Sequence, residues 1–396
     1  MKILYVCHRF PYPPHRGGKI RPFNMIKHFS EQGHAVTVAS LVRSDDEARE
    51  AEGIRDHCAH YMMERVPPSE ALGRMVAYLP SRAPSSMGYF YSPQLKTRID
   101  AALHQTRFDM IFVHCSSAAQ YVASVRGVPK VLDFGDMDSQ KWLIYSQVRR
   151  FPLSVGYWLE GVKLRRAEIA LARQFDYCTC TTQAELQTLQ SYRTGVRAGW
   201  FPNGVDSDYF HPVEAPYDPD TICFIGRMDY YANEQSMVEF CKHSWPLLRA
   251  RRPKIRLLIV GADPSRQVRR LGRLPGVTVT GSVPDVRPYA CRAAATVAPL
   301  VIARGTQNKI LESMAMGVPV VASEQAAGGV DAIPGEHFLT ASTPPGYTDA
   351  IVRLLENPTE RERFARAGRA RILTHHNWQG SMKVLGTQLA DYVGAL

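Results

Sequence analysis

The sequence predicts an α/β protein of two doubly wound domains, each a parallel sheet covered by helices. Three observations carry that expectation. Short β-branched runs alternate with stretches of helical periodicity, the pattern of a parallel sheet buried on both faces. The alternation starts afresh once, after a turn-rich segment near the middle of the chain. The length, 396 residues, is about twice that of a common domain and allows two full cores.

Taken in order, the first half reads as strands near Lys2–Cys7, Ala35–Leu41, Asp109–His114, Lys130–Phe134 and Tyr177–Thr181. Helices are expected near Lys19–Gly33 and, in one long stretch, over Ser139–Gln174. The turn-rich segment then runs through Phe201-Pro202-Asn203-Gly204-Val205-Asp206, His211-Pro212 and Pro216-Tyr217-Asp218-Pro219. Proline, glycine and aspartate at this density mark a connection, so a boundary is placed between 205 and 218. The second series has strands near Thr221–Ile225, Ile255–Val260, Val277–Thr280, Ala294–Ala298 and Val318–Ala322. Its helices fall near Glu234–Arg249, Arg266–Arg273, Pro284–Ala290 and Thr306–Met316. The expected domains are therefore 1–205 and 206–375, with a terminal helix of about 376–396 packing back onto the first. Two such sheets imply a cleft, and ligands of such folds bind beyond the carboxyl ends of the strands.

Composition narrows the class. Hydrophobic residues make up 45% and charged residues 21%, as in soluble globular proteins. No apolar run approaches the roughly 20 residues of a spanning helix. Met1–Cys7 is too short an apolar stretch for a signal peptide, and His8 and Arg9 follow it, so a cytoplasmic location is expected. The eight cysteines are scattered without a Cys-x-x-Cys pair or a Cys/His cluster, which predicts neither disulfides nor a metal site. The net charge is +11, and residues 1–200 hold 26 Lys and Arg against 18 Asp and Glu. A basic half suits lipid headgroups or diphosphates. Nucleic acid is not expected, because no basic helix or aromatic-basic motif of a known binding module is present.

Three motifs are candidates for chemistry. Pro13-Pro14-His15-Arg16-Gly17-Gly18-Lys19 follows the first strand and precedes a helix; paired glycines allow a tight turn, and a helix N-terminus favours anions. It is neither a dinucleotide fingerprint nor a P-loop. Gly226-Arg227 ends the first strand of the second half, where a guanidinium fork suits phosphate oxygens or, equally on spacing alone, a surface carboxylate. The third motif is Arg304-Gly305-Thr306-Gln307-Asn308-Lys309-Ile310-Leu311-Glu312, running into Gly317-Val318-Pro319-Val320-Val321. Here Lys309 and Glu312 are three apart on one helical face. A cation and a carboxylate there fit a nucleotide's phosphates and ribose hydroxyls; an ordinary i,i+3 ion pair has the same spacing.

Lys309–Val321 resembles the carboxyl-terminal signature of glycosyltransferase family 4, a retaining family of the GT-B fold with two Rossmann-like domains facing each other across a cleft. Further matches arrive in the family's order: Gly17-Gly18, Gly33-His34-Ala35-Val36-Thr37-Val38, Pro202-Asn203-Gly204-Val205-Asp206 with Phe210 and Pro212, Gly226-Arg227, Gly261, and Gly281-Ser282-Val283. Asp133-Phe134-Gly135-Asp136-Met137-Asp138-Ser139-Gln140-Lys141-Trp142 and Gly226-Arg227-Met228-Asp229-Tyr230-Tyr231-Ala232-Asn233 are similar to one subgroup. Those are the sugar transferases of bacterial exopolysaccharide and PEP-CTERM protein-sorting systems.

The resemblance implies that Arg227 and Lys309 bind a donor diphosphate and Glu312 its ribose. It implies that Gly305 and Thr306 approach the sugar and α-phosphate through backbone amides, with Gly17 and Gly18 near the same phosphate. His114 matches the family's active-site histidine. The donor would be a UDP- or GDP-sugar, with no cofactor and no metal. The acceptor would be a glycan or a polyprenyl-diphosphate-linked sugar, at the inner face of the plasma membrane. Asp136 and Asp138, after the strand Lys130–Phe134, are candidates to orient or deprotonate the acceptor hydroxyl; alternatively Asp138 or Ser139 caps the following helix.

Two departures from the family matter. Its usual Glu-x7-Glu here begins with Arg304, eight residues before Glu312, so a cation stands where a carboxylate would meet the sugar. The lysine that commonly follows Gly-Arg is replaced by Ala232 and Asn233, and Lys309 is the candidate to supply that charge. Residues 74–98 mix Arg74, Arg82, Lys96 and Arg98 with Tyr78, Tyr89, Phe90 and Tyr91, a composition suited to an anionic membrane interface. A sugar-nucleotide epimerase or hydrolase, or a silent sugar-nucleotide-binding scaffold, would use the same donor grip.

Overall fold

A computed structural model describes residues 1–14, 17–213 and 216–393. The chain divides into two compact units, Met1–Phe201 with the residues from Met382 onward, and Pro202–Ser381. The first carries a seven-stranded parallel sheet: β1 (Lys2–Cys7), β2 (Ala35–Val42), β3 (His60–Arg65), β4 (Met110–His114), β5 (Lys130–Gly135), β6 (Tyr177–Cys180) and β7 (Arg197–Trp200). Their spatial order is β3-β2-β1-β4-β5-β6-β7. The second carries β8 (Asp218–Ile225), β9 (Arg256–Val260), β10 (Val277–Gly281), β11 (Ala293–Ala298), β12 (Val320–Ala322) and β13 (Leu339–Thr340), in the order β10-β9-β8-β11-β12-β13. Each order reverses direction once, between β1 and β4 and between β8 and β11. At such a point the two flanking connections leave in opposite directions and open a crevice at the strand ends.

The strands form where the sequence is apolar on both sides. β4 and β11 are buried at every position, and β1 at every position after Lys2, because helices cover both faces. The helices used below are α1 (Gly17–Glu31), α2 (Pro68–Ala77), α3 (Asp138–Val148), α4 (Leu153–Ala172), α5 (Gln183–Ser191), α6 (Asn308–Ala315) and α7 (Trp378–Val393). α7 runs on from Pro202–Ser381, and its later part packs on the first unit. There Gln388 donates to the Trp200 carbonyl at 2.9 Å, and the Arg197 guanidinium lies over Tyr392.

The expected single helix over 139–174 is corrected: it is two, α3 and α4, broken at Arg149–Pro152. Pro152 has no N–H to donate, and its ring displaces the carbonyl a turn earlier, so the helix ends before it. The halves then fold into a hairpin, with Trp142 and Tyr157 ring centroids 5.3 Å apart. β3, β7 and β13 escape the sequence reading. All lie at or next to a sheet edge, where burial is partial and the apolar signature weak.

Close backbone crossing sets the second sheet. A Cβ on Gly261 would stand 1.8 Å from the Gly226 carbonyl oxygen, and one on Gly226 would press on Asn233 at 2.9 Å. The chains leaving β8 and β9 are thus in direct backbone contact. Gly261→Ala is expected to cost about 2 kcal/mol or more through displaced backbone, read as a lowered urea midpoint. Gly127→Ala, with open space around it, provides a reference for the cost of positive φ alone.

Candidate active site

In the first unit, polar groups gather at the carboxyl ends of β1, β4 and β5. His114 is the last residue of β4 and is buried. Its Nδ1 lies 2.7 Å from Asp133 Oδ2. Asp133, on β5, has no exposed surface and receives both arms of the Arg21 guanidinium at 2.9 Å and the Thr179 hydroxyl at 2.8 Å. Burial alone would raise the Asp133 pKa; the Arg21 charge and the His114 bond outweigh it and hold the carboxyl well below its usual range. An ionised Asp133 makes Nδ1 of His114 the protonated nitrogen and leaves Nε2 as the ring's outward polar atom. Arg21 also donates to the Phe201 carbonyl at 3.1 Å and stacks on the Phe201 ring at 3.6 Å.

The turn after His114 is strained. Cys115 has φ of +79°, sparsely populated by non-glycine residues, and its amide donates to the Asp133 carbonyl at 2.8 Å. The Cys115 thiol lies 3.6 Å from Asp138 Oδ2, and burial pushes it up to about 12. Burial also raises the Asp138 carboxyl, against the Lys141 charge. Asp136 is partly exposed and accepts from Thr181 Oγ1 at 2.6 Å.

The expected capping of the next helix by Asp138 or Ser139 is corrected. The amide of Met137 donates to Glu185 of α5 at 2.8 Å, and that of Ser139 to Glu168 of α4 at 2.9 Å. Carboxylates from other helices thus satisfy the start of α3 and leave Asp138 outside that task. Gly17 and Gly18 open α1; His15 and Arg16 of the same motif lie outside the described residues. Lys19 of that motif is buried and paired with Glu47 at 2.7 Å.

In the second unit, Arg227 follows β8. Its guanidinium binds Asp229 at 2.7 and 3.1 Å and Asp263 at 2.6 Å. Arg304, Gly305 and Thr306 lie between β11 and α6. Gly305 has φ of +62°, and a Cβ on Gly329 would stand 2.0 Å from the Gly305 carbonyl oxygen, so this loop is pressed against a neighbour. Gln307 bonds the Arg304 carbonyl at 3.1 Å and takes Lys309 Nζ at 3.4 Å. Lys309 Nζ also sits 5.9 Å from the centre of the Phe224 ring on β8. Lys309 and Glu312 keep some exposed area yet are ringed by protein. Burial pulls Lys309 down to about 8, the Glu312 charge opposing; it pushes Glu312 up to about 7, the Lys309 charge opposing. α6 has no acidic residue in its first turn and no side-chain cap.

Two family models match these halves in order. Residues 16–209 match "Glycosyltransferase Family 4", and residues 219–357 match "Glycosyl transferases group 1". The chain is 28% identical over 301 residues to the phosphatidyl-myo-inositol mannosyltransferase of Mycobacterium leprae, covering 73% of this chain and 75% of that one. To the Mycobacterium tuberculosis protein of the same name it is 30% identical over 191 residues, 45% of this chain and half of that one. This is a glycosyltransferase of the family 4 type. Solved structures agree on a GT-B fold. Sucrose-phosphate synthase from Thermosynechococcus elongatus superposes with a TM-score of 0.71 at 17% identity, over 99% of this chain and 98% of that one. Anabaena HepE in complex with UDP-glucose gives 0.70 at 15% identity, over 99% and 100%.

Of the residues expected in the transferase site, His114, Asp136 and Asp138 gather in one unit, and Arg227, Arg304–Thr306, Lys309 and Glu312 in the other. Asp133, Arg21 and His8 were not anticipated. His8 follows β1, its ring 5.9 Å from that of His114, and burial holds its pKa well below the usual value. The signal for Asp133 was an aspartate inside an otherwise apolar strand, a position that demands a partner. Asp133→Asn leaves Arg21 buried without its counter-charge and is expected to cost about 3–5 kcal/mol, whereas Thr179→Ala removes one bond and costs about 1 kcal/mol. Chemical denaturation compares them, and equal losses would refute the ranking.

Proposed function

We propose that the transferase moves a hexose from a UDP- or GDP-sugar to a glycan or a polyprenyl-diphosphate-linked sugar, with retention and without a metal, in bacterial exopolysaccharide or other cell-surface polysaccharide synthesis. The observation that supports this most is the second unit's switch point. There Lys309, Arg227 and the uncapped start of α6 lie around the ends of β8 and β11. A diphosphate is stabilised by just such groups: a fork of donors, a second cation and a helix N-terminus. Glu312, one turn along α6, is placed to accept from ribose hydroxyls. Gly305 and Thr306 offer backbone amides to the α-phosphate and sugar, and Arg304 stands where a sugar-binding carboxylate is usual in the family. The mycobacterial relatives are named for mannosyl transfer to a phosphatidyl-inositol, which supports an acceptor carried by a lipid.

In the reaction, the bond from the sugar's anomeric carbon to the diphosphate oxygen breaks and the acceptor oxygen bonds to that carbon on the same face. The acceptor proton passes to the departing phosphate. Arg227 and Lys309 neutralise the leaving group, with Arg227 exchanging Asp229 and Asp263 for phosphate oxygens. In the first unit, His114, with its tautomer held by Asp133, offers Nε2 to a sugar hydroxyl. Asp136 orients the acceptor hydroxyl, with Asp138 behind it, and Gly17 and Gly18 let the start of α1 approach the phosphate.

Incubation with a panel of UDP-, GDP- and ADP-sugars, with and without acceptor, tests the class. Nucleotide release that requires acceptor supports transfer; release without acceptor indicates a hydrolase, and binding without turnover a scaffold. Lys309→Ala and Arg227→Ala are each expected to lower kcat/KM by roughly 10²–10³, equivalent to about 2.7–4 kcal/mol. Only the cationic form of Lys309 holds a diphosphate, and that form is lost as pH rises through about 8. Donor affinity should therefore fall roughly tenfold per unit above that pH. Lys309→Arg, charged throughout, should abolish the fall; an unchanged profile would remove Lys309 from the grip.

A further inference from the structure

Among the described residues of Met1–Phe201, the exposed large apolar side chains fall in two stretches, 72–79 and 148–159. Phe151, at the tip of the α3–α4 hairpin, is 82% exposed. Val155 and Leu159 are four apart on α4 and share one face; Phe151 lies just before the helix, and Trp158 beside Leu159 is half exposed. On α2, Leu72 and Val76 are a turn apart, and Leu79 follows just beyond; all three are more than half exposed. The two stripes meet. Lys163, the next step along the α4 face, donates to the Leu79 carbonyl at 2.8 Å. Glu160 accepts from the amides of Ser85 and Ser86 at 2.9 and 2.8 Å. An apolar area of this extent, left on the surface, marks a docking surface.

Its charge is mainly positive. Between Lys141 and Leu159 there is no Asp or Glu, while Arg149 and Arg150 precede Phe151. α2 carries one acid, the exposed Glu70, which is paired with Arg74, and the segment beyond it adds Arg82. Glu160, the nearest carboxylate on α4, is buried under the Ser85–Ser86 turn. The hairpin is rigid, since Trp142 and Tyr145 both pack on Tyr157. We infer that the α3–α4 tip and α2 form a docking surface for an anionic phospholipid bilayer, with Phe151, Val155, Trp158 and Leu159 entering the headgroup–acyl boundary and Arg149, Arg150 and Arg82 meeting lipid phosphates. A net cationic rim around an apolar, aromatic stripe is complementary to such a surface. A second copy of the chain in a two-fold contact would set Arg150 against Arg150 and is disfavoured. Of the aromatic-basic stretch 74–98 that the sequence points to, the surface takes Val76, Leu79 and Arg82 and leaves the rest. There Arg74, Lys96 and Arg98 are paired with Glu70, Asp100 and Glu64, and Phe90 lies beneath the Arg9 and Arg43 guanidinia. The assignment rests on the proposed lipid-linked acceptor only for its purpose; the surface stands without it.

Flotation of the whole protein with vesicles of phosphatidylcholine containing 30% phosphatidylglycerol tests the inference. Binding is expected, at least tenfold weaker to pure phosphatidylcholine vesicles or in 0.5 M salt. Phe151→Asp combined with Leu159→Asp, and separately Arg149→Glu combined with Arg150→Glu, should each lower binding at least tenfold. Both pairs should leave the melting temperature and nucleotide-sugar binding in solution unchanged. Absence of vesicle binding by the unaltered protein, or unaltered binding by both double variants, would overturn the assignment. So would a loss seen only in self-association by analytical ultracentrifugation, which would make the surface a contact between copies. Because donor binding is read separately, failure here is distinguishable from failure of the transferase reading.

Discussion

Asp133 is an ionised carboxylate sealed inside the first sheet, and the elements around it are placed by the protons it accepts. A buried charge is tolerated only when its partners are complete. Here they come from four parts of the chain: Arg21 of α1, His114 of β4, Thr179 of β6, and, through Arg21, the carbonyl of Phe201 after β7. A slip of β4, β5 or β6 by one residue would turn His114, Asp133 or Thr179 to the opposite face of the sheet and strand the charge. The arrangement that keeps the fold in register is also the one that fixes the His114 ring and its tautomer. Stability and site geometry share one set of atoms in this unit.

The second unit solves the same positioning problem without a buried ion pair at its centre. Its strand ends are brought together by glycines whose missing side chains let backbone meet backbone, Gly261 on Gly226 and Gly329 on Gly305. The result is a surface made largely of backbone amides and loop carbonyls at the ends of β8 and β11. The charged groups around it, Arg227, Lys309 and Glu312, keep partial exposure to solvent.

What could be read beforehand follows from this difference. Strands buried on both faces announce themselves as apolar runs, so β1, β4, β8 and β11 were legible, as was the Lys309-x-x-Glu312 helix from its spacing. Edge strands were not, because β3 and β7 carry half-exposed, mixed sequences. Pro152 was a visible stop signal within the expected long helix, and the apolar residues on either side of it masked the break. The partners of Asp133 and the carboxylates at the head of α3 lie tens of residues away in sequence, and no local spacing encodes them. The arginines and lysine of 74–98 were visible as a composition: Arg74 and Lys96 pair with acids four residues away on their own helices, whereas Arg98 pairs with Glu64 on β3, which no local spacing encodes.

Helix ends separate the electrostatic roles of the two units. α3 starts next to the strand ends of the first sheet, yet its amides are taken by Glu168 and Glu185, and Asp136 and Asp138 add further negative charge nearby. A diphosphate brought there would displace bonded carboxylates and meet repulsion. α6 starts at the equivalent place in the second sheet with no acidic residue in its first turn, with Lys309 in that turn and Arg304 just before it. The macrodipole and both cations favour an anion there by the same sign. On the proposed reading of this site, Arg304 in place of the family's usual carboxylate puts a cation toward the sugar side of the donor. On that reading, a donor sugar or acceptor offering negative charge or a row of acceptor oxygens there would be favoured.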